Sequence, residues 1–525
     1  MKPKVVVAEE IADAGIAALL EHCEVDLAVG LDRPDLFRRL ADARGLLVRS
    51  ATQVDAEMIA AAPKLDVIGR AGIGVDNIDL DAATAAGVLV VNAPHANVIS
   101  AAEHTMALIL ALARRIPEAD TSLRGGEWKR SQLGGVEIHG KVLGVLGLGK
   151  IGTLVSERAK AFGMKVIAYD PFVSDDRARR VGVDLLDLDE VLAAADFLTV
   201  HLPRNRHTEA MLDAEAFKKM KSSARVINVA RGGIVVEADL AAALRSGELG
   251  GAAIDVYATE PMTSSPLFDA PSIVMTPHLG ASTSEAQDKA GIAVAESIAA
   301  TLRGELVLTG VNLDLGPNVP PELSEFLPVA VQLGRVFVGL ANGVPQDFTV
   351  IAEGAISEFS VKPLVLAALK GALSSVTDRP VTYVNAQSIA SSRGIVVHEM
   401  ARASTDAYQS SIRITGTVDG VDRVVAGTAT AHKGPVLTEV DGYFIEVRLG
   451  GNTLIVRNDD TPGVIGRLGG YLGENDINIS DMVVGRSGDE AAMMGVRVDG
   501  RITEDQLAGI ERLDGILAVH YFEFD

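Results

Sequence analysis

In 525 residues this chain has one cysteine, Cys23. Neither a disulfide framework nor a cysteine-based zinc site can be built from it. Aromatic residues make up 4% of the chain and tryptophan occurs once, at Trp128, too few for a stacking platform that grips single-stranded nucleic acid. Lysine and arginine number 48 against 70 aspartates and glutamates, a net charge of −22. That field repels a polyanion, so no nucleic-acid partner is expected. No apolar run approaches the roughly 18 residues that a membrane helix needs, and no membrane partner is expected. The opening MKPKVVVAEE has too short an apolar run for a signal peptide and reads as a strand, which makes the cytoplasm the expected location.

What is present is an ordinary globular composition, 48% hydrophobic and 22% charged, in a chain long enough for three or four domains. Its most informative stretch runs from Lys141 to Asp170. Val142 to Leu146 form an apolar strand, and Gly147, Gly149 and Gly152 follow it as G-x-G-x-x-G. A helix-compatible run opens at Lys150 and Ile151, and a second strand, Lys165 to Tyr169, ends at Asp170. Gly147 suits a tight turn, Gly149 a close approach of backbone to a pyrophosphate, and Gly152 a close helix–strand contact. The helix N-terminus offers free N–H groups to phosphates. Asp170, 18 positions after Gly152, would accept both ribose hydroxyls and repel a 2′-phosphate, which selects NAD.

Around this unit, short strands alternate with alanine-rich helical stretches. Lys4 to Val7, Gly45 to Val48, Val67 to Gly69 and Val88 to Asn92 precede it; Phe197 to His201, Arg225 to Asn228, Ala252 to Asp255 and Ile273 to Met275 follow. The alternation predicts an α/β fold with two doubly wound parallel sheets and a ligand cleft between them. A final helix, about Ser284 to Arg303, is long enough to return to the first sheet. The expected division is 1–97 with 285–316 as a discontinuous substrate domain and 98–284 as the dinucleotide domain. After the break at Gly316 to Pro321, 317–450 reads as an α+β intervening domain. The segment 451–525 reads as a separate ferredoxin-like module in βαββαβ order.

Three polar residues mark the ends of later strands: Arg231 in NVARGG, Glu260 in DVYATEP and His278 in TPHLGAST. Residues past the carboxyl ends of parallel strands face the ligand crevice. Histidine suits removal of a hydroxyl proton as hydride leaves carbon, glutamate can orient the imidazole, and arginine can clamp a carboxylate. Singly, each is more often a cap or a surface ion-pair partner; the case rests on their occurring together. Arg49 and Arg70, with the Gly72-Ile73-Gly74 turn, read equally as an anion site or as interface salt bridges. His95, Asn97 and His104 lie near the hinge and read as structural. No Walker loop, nucleophile elbow, H-E-x-x-H or metal-spaced carboxylate cluster occurs.

The set VRSATQVD, GRAGIGVDNID, GLGKIG with YDP, NVARGGIV, DVYATEP and PHLGAST resembles the D-isomer-specific 2-hydroxyacid dehydrogenases. Over its full length the chain resembles the long-form D-3-phosphoglycerate dehydrogenases, with an intervening and an ACT domain. The resemblance implies NAD-dependent oxidation of 3-phosphoglycerate to 3-phosphohydroxypyruvate, a step of serine biosynthesis. It implies His278 as acid/base, Glu260 as its partner and Arg231 as substrate clamp. Arg49, Arg70 and Gly74 match substrate-binding positions. Arg130 matches an arginine that reaches a neighbouring subunit, hence a homo-oligomer, usually a tetramer. Asp170 matches the ribose acid, and Val229, Asp255, Gly280 and Ala281 match positions on the nicotinamide side. In the ACT domain Asp460 and Asn478 match amino-acid-binding positions for an L-serine effector. Asn458 stands where serine-binding members carry His or Tyr.

Overall fold

The computed structural model describes all residues except 1, 317–318, 342, 378–380, 406, 419, 431–433, 487–490 and 525. The first sheet is wholly parallel, in the order β2-β1-β3-β4-β5, from Lys4–Val7, Glu24–Leu27, Gly45–Val48, Val67–Arg70 and Leu89–Asn92 in chain order. Its strands alternate between two cores, with Val6, Leu46, Ile68 and Val90 on one face and Val5, Leu47, Val67 and Val91 on the other. The period of two in a doubly covered sheet explains why these strands read as nearly unbroken apolar runs. The helix Ser284–Leu302 returns to cover the second face with Ala290, Val294 and Ile298. It crosses the helix Asp13–His22 where Gly15 meets Gly291 so closely that a Cβ on Gly15 would stand 2.7 Å from the Gly291 backbone.

The second sheet holds β6 (Val142–Leu146), β7 (Lys165–Tyr169), β8 (Asp184–Leu185), β9 (Phe197–Val200), β10 (Arg225–Asn228), β11 (Gly251–Ile254) and β12 (Ile273–Met275). All pairs are parallel, in the order β12-β11-β10-β9-β6-β7-β8. Strand order reverses between β6 and β9, which opens a crevice at their carboxyl ends. The G-x-G-x-x-G turn follows β6 at that crevice.

The third sheet has six strands: β13 (Asp347–Gly354), β14 (Val396–Arg402), β15 (Ser410–Val418), β16 (Val421–Thr430), β17 (Gly434–Val440) and β18 (Tyr443–Arg448). Helices Leu327–Gly339 and Lys362–Ser374 contribute Leu333, Phe337, Leu364 and Leu369 to its core. The fourth sheet, β20-β21-β19-β22, is built from β19 (Gly451–Asn458), β20 (Asn478–Arg486), β21 (Ala492–Asp499) and β22 (Ile516–Phe524). With helices Val464–Glu474 and Glu504–Glu511 it completes the βαββαβ order. Its helical face forms its own core around Leu454, Leu468 and Val496. Its other face is not free: Ile455, Met493, Phe522 and Phe524 join the core of the third sheet, so the last 75 residues are less separate than their sequence suggests.

In the first domain, β2 and the helix Arg33–Leu40 are among the elements that went unread in the sequence. β2 is a four-residue edge strand with exposed ends, so it lacks an apolar signature. In the break at Gly316 to Pro321, residues 317–318 lie outside the described residues; beyond it Pro321–Phe326 forms a 3₁₀ turn.

Candidate active site

Between the first two sheets lies a cavity of about 840 Å³, lined on one side by Arg49, Arg70, Gly74 and Asp76 and on the other by Arg231, Glu260 and His278. Each charged group sits just beyond a strand's carboxyl end. Arg49 follows β3, where the Glu9 carboxylate accepts the N–H groups of Arg49 at 2.9 Å and Thr52 at 2.9 Å. The Asn77 amide donates to the carbonyls of Arg49 and Thr52 at 2.9 and 2.7 Å. Arg70 ends β4; burial and the neighbouring Arg231 hold its guanidinium below its usual value. Its buried Nε has no hydrogen-bond partner. Half-buried cations facing one another are costly, and an anionic ligand among them relieves that cost.

On the opposite wall, His278 Nδ1 lies 2.6 Å from Glu260 Oε2. The second oxygen of Glu260 accepts the Tyr257 N–H at 2.9 Å. Burial pushes the Glu260 carboxyl up, but the contacts with His278 and Tyr257 outweigh it and leave it below its usual value. An ionised Glu260 stabilises an imidazolium and leaves Nε2 of His278 for a substrate. Arg231 is held by its turn: the Asn228 carboxamide accepts from Ala230 N–H and donates to the Arg231 carbonyl, both at 3.0 Å.

His278 has a left-handed backbone, φ 56°, unusual for a residue with a side chain. Asp255 explains how it persists. Its carboxylate is fully buried and accepts the N–H groups of Leu279 at 2.8 Å and Gly280 at 2.9 Å, while its carbonyl accepts from His278 N–H at 2.8 Å. Thr276 and His104 complete the set at 2.6 and 3.2 Å. Burial raises this carboxyl and the hydrogen bonds, led by His104, bring it below the usual range. Asp255 therefore lies beneath the cavity wall as an anchor of the histidine loop, whereas Val229, Gly280, Ala281 and Ile151 line the cavity itself. His104, which read as a structural residue, contacts this anchor. His201, which sequence reasoning did not single out, also lines the cavity at the end of β9.

The glycine turn fits a dinucleotide. Gly147 has φ 96°, and a Cβ on Gly152 would collide with the Gly147 carbonyl; both glycines are required by the fold. Gly149 is different, because a Cβ there would meet nothing within 4 Å. No protein neighbour demands glycine at that position, which leaves the helix N-cap backbone open to a ligand. Asp170 is drawn to the same turn, accepting Leu148 N–H at 2.8 Å and Phe172 N–H at 2.9 Å. Lys150 Nζ meets the His95 ring at 2.7 Å, which links the helix start to the first domain.

Four expected site residues lie away from this cleft. Arg130 is exposed in the segment after the helix Ile116–Arg124. In the fourth sheet Asn458 is buried, and with its amide turned to suit its neighbours it donates to the Ala492 carbonyl at 3.2 Å and accepts from Asp460 N–H at 3.3 Å. Asp460 pairs with Arg486 at 2.8 Å. Asn478 does not join them; it donates to Asp499 at 2.7 Å. Asn458 is registered with Ala492 and Asn478 with Asp499, so the two asparagines stand at opposite ends of β21, roughly 23 Å apart at the usual strand rise. One chain does not gather the expected effector residues into a single site, because a βαβ unit starts its second strand at the end opposite to where its first finishes.

Family models match three parts of the chain. They are the NAD binding domain of D-isomer specific 2-hydroxyacid dehydrogenase (106–280), the D-3-phosphoglycerate dehydrogenase intervening domain (322–441) and the ACT domain (452–514). D-3-phosphoglycerate dehydrogenase of Mycobacterium leprae is 45% identical over 482 residues, 91% of this chain and 90% of the relative. The chain belongs to the D-3-phosphoglycerate dehydrogenase family. The enzyme of that name from Archaeoglobus fulgidus is 40% identical over 529 residues, 99% of this chain and 100% of its own. Among solved structures, an NAD-dependent formate dehydrogenase from Staphylococcus aureus in complex with NAD is 29% identical, with TM-score 0.53, over 59% of this chain and 97% of that one. The family's NAD-binding domain lies in the segment that carries the glycine turn and Asp170. An NAD-dependent oxidoreductase is therefore at hand, with an ACT domain consistent with regulation. No described helix is long and apolar enough to cross a membrane.

Proposed function

We propose that this chain oxidises 3-phospho-D-glycerate to 3-phosphohydroxypyruvate, with the roles divided across the cleft. The observation behind this reading is the meeting of the His278–Glu260 pair with Arg49, Arg70 and Arg231 around one cavity. NAD, when bound, supplies the hydride acceptor; Gly147, Gly149, Lys150, Ile151, Gly152 and Asp170 would hold it. His278 takes the hydroxyl proton at Nε2, and Glu260 balances the charge that then develops on the ring. Arg231 clamps the carboxylate beside the reacting carbon with paired donors. Arg49, Arg70 and the Gly74 turn receive the phosphate. On this reading 1–97 with 285–316 bind substrate, 98–284 bind cofactor, and 317–450 and 451–525 regulate.

A homo-oligomer is supported by the helix Ile116–Arg124, which buries none of its residues within the chain. Beyond it Trp128 is 81% exposed. A second copy covering this arm would bring Arg130 to a neighbouring cleft; a tetramer is the expected assembly. An L-serine site using Asn458, Asp460 and Asn478 would need two ACT domains side by side, each giving opposite strand ends. A cytoplasmic location suits a chain whose single cysteine is buried and free.

Purified wild type should form NADH from NAD and 3-phospho-D-glycerate, and L-serine added to the same assay tests the effector reading. His278→Ala should lose about 10²- to 10⁴-fold in kcat, the usual contribution of a positioned acid/base. Unchanged NADH formation by His278→Ala would show that the proton goes elsewhere.

A further inference from the structure

Besides Glu260, the cleft holds a second carboxylate, on the wall that bears the arginines. Asp76, in the loop after β4, projects from the first domain to Arg231 of the second, with its Oδ2 3.5 Å from Arg231 Nε. The side chain of Asp76 is 78% exposed, that of Arg231 30%. No other hydrogen bond or ion pair ties the Asp76 carboxylate down among the described residues. It is not needed to cap a helix: the next helix, Leu80–Ala86, is capped by Asp79. Gly74 keeps the passage open, since a Cβ there would stand 2.5 Å from Arg231 Nη2 and 2.9 Å from Asp76 Oδ2. Asp76 also faces Arg70, whose positive charge it favours.

We infer that Asp76 is an internal stand-in for the substrate carboxylate, occupying Arg231 until an anionic substrate displaces it. This deepens the proposed function and rests on its assignment of Arg231 as clamp. Arg231 has one planar donor fork, and a largely exposed carboxylate at 3.5 Å is a weaker partner than a bidentate ligand in the cleft. The substrate's carboxylate and Asp76 therefore compete for one guanidinium. Because the pair joins the two walls, it also holds an unliganded cleft partly together. Substrate binding exchanges one cross-cleft ion pair for another and releases Asp76 to water, where its exposure lets it be solvated. The same carboxylate repels any anion that cannot make the exchange, so it selects for ligands with a well-placed carboxyl group.

The test is Asp76→Asn, which keeps shape and removes charge, with Asp76→Glu as the conservative control. Steady-state kinetics on 3-phospho-D-glycerate should show KM lowered about three- to fivefold, the scale of a half-exposed ion pair. The KM for NAD should move less than about twofold, because NAD brings no carboxylate to exchange with Asp76. The inhibition constant of oxalate, a carboxylate probe, should fall in parallel, and Asp76→Glu should return both towards wild type. A raised KM and weaker oxalate inhibition in Asp76→Asn would show that Asp76 holds Arg231 in place for the substrate, and unchanged values would show a bystander; either overturns the stand-in. If wild type fails to oxidise 3-phospho-D-glycerate, the proposed function falls, while a tighter grip on oxalate by Asp76→Asn would still uphold the exchange.

Discussion

At the scale of single residues, the cleft depends on charges that are held rather than merely present. Glu260 stays ionised against its burial, Asp255 does so through its ring of donors, and Arg70 bears a burial penalty without a partner for Nε. His201 shows the opposite solution. Burial pushes it down to about 4, so it stays neutral at the cavity wall, 3.0 Å from the Thr199 hydroxyl. The consequence for stability has a definite sign. An unfolded histidine protonates near pH 6.5 and the folded one near 4, so between these values the unfolded chain binds the extra proton. Stability conferred by neutral His201 is complete above about pH 6.5 and is lost as pH falls towards 4. Thermal unfolding of wild type and His201→Gln from pH 7 to 4 should show a shallower acid loss in the variant; parallel curves would contradict the assignment. Of these residues, Arg231, Glu260 and His278 were legible because each follows a strand end. Asp76, Glu9 and His201 were not, because their partners stand far away in sequence or, for His201, because burial decides its role.

At the scale of elements, the glycine turn separates what the fold needs from what a ligand needs. Gly152→Ala sets a methyl group against the Gly147 carbonyl and should cost roughly 1–3 kcal/mol of stability, as overpacking does. Gly149→Ala points a methyl group into open space at the helix start and should cost about 1 kcal/mol or less. Both should weaken NADH binding about tenfold or more, since the phosphates approach this backbone. Fluorescence titration with NADH beside a denaturant melt checks the split; tight binding by Gly149→Ala would mean that no ligand backs against the turn. In the first two sheets the parallel strands other than the edge strands β2 and β8 were readable to within a residue or two, because a sheet covered on both faces leaves apolar runs. β16, β17 and β18 were not readable, because strands such as Val421–Thr430 alternate with small and polar residues and draw their stability from cross-strand pairing.

At the scale of the whole molecule, the insertion of one α/β unit into another is what puts cations opposite the acid/base pair. The returning helix Ser284–Leu302 was foreseeable from its length; its glycine-to-glycine crossing with Asp13–His22 was not, because it depends on two residues 276 positions apart. Beyond the core, the intervening domain grips the first domain through Thr382, whose hydroxyl donates to the Gly87 carbonyl at 3.0 Å, and through Val384, buried in its core. The ACT sheet in turn shares a core with the intervening domain. A continuous packed path therefore joins the C-terminal module to the wall that bears Arg49 and Arg70. On the proposed function, this wall receives a phosphate while the other performs the oxidation. The direct measurement is kcat/KM for NADH formation with 3-phospho-D-glycerate against D-glycerate, on the full chain. Charge-assisted contacts to the phosphate predict a preference on the order of a hundredfold or more for the phosphorylated acid; equal efficiency with the two substrates would contradict the account.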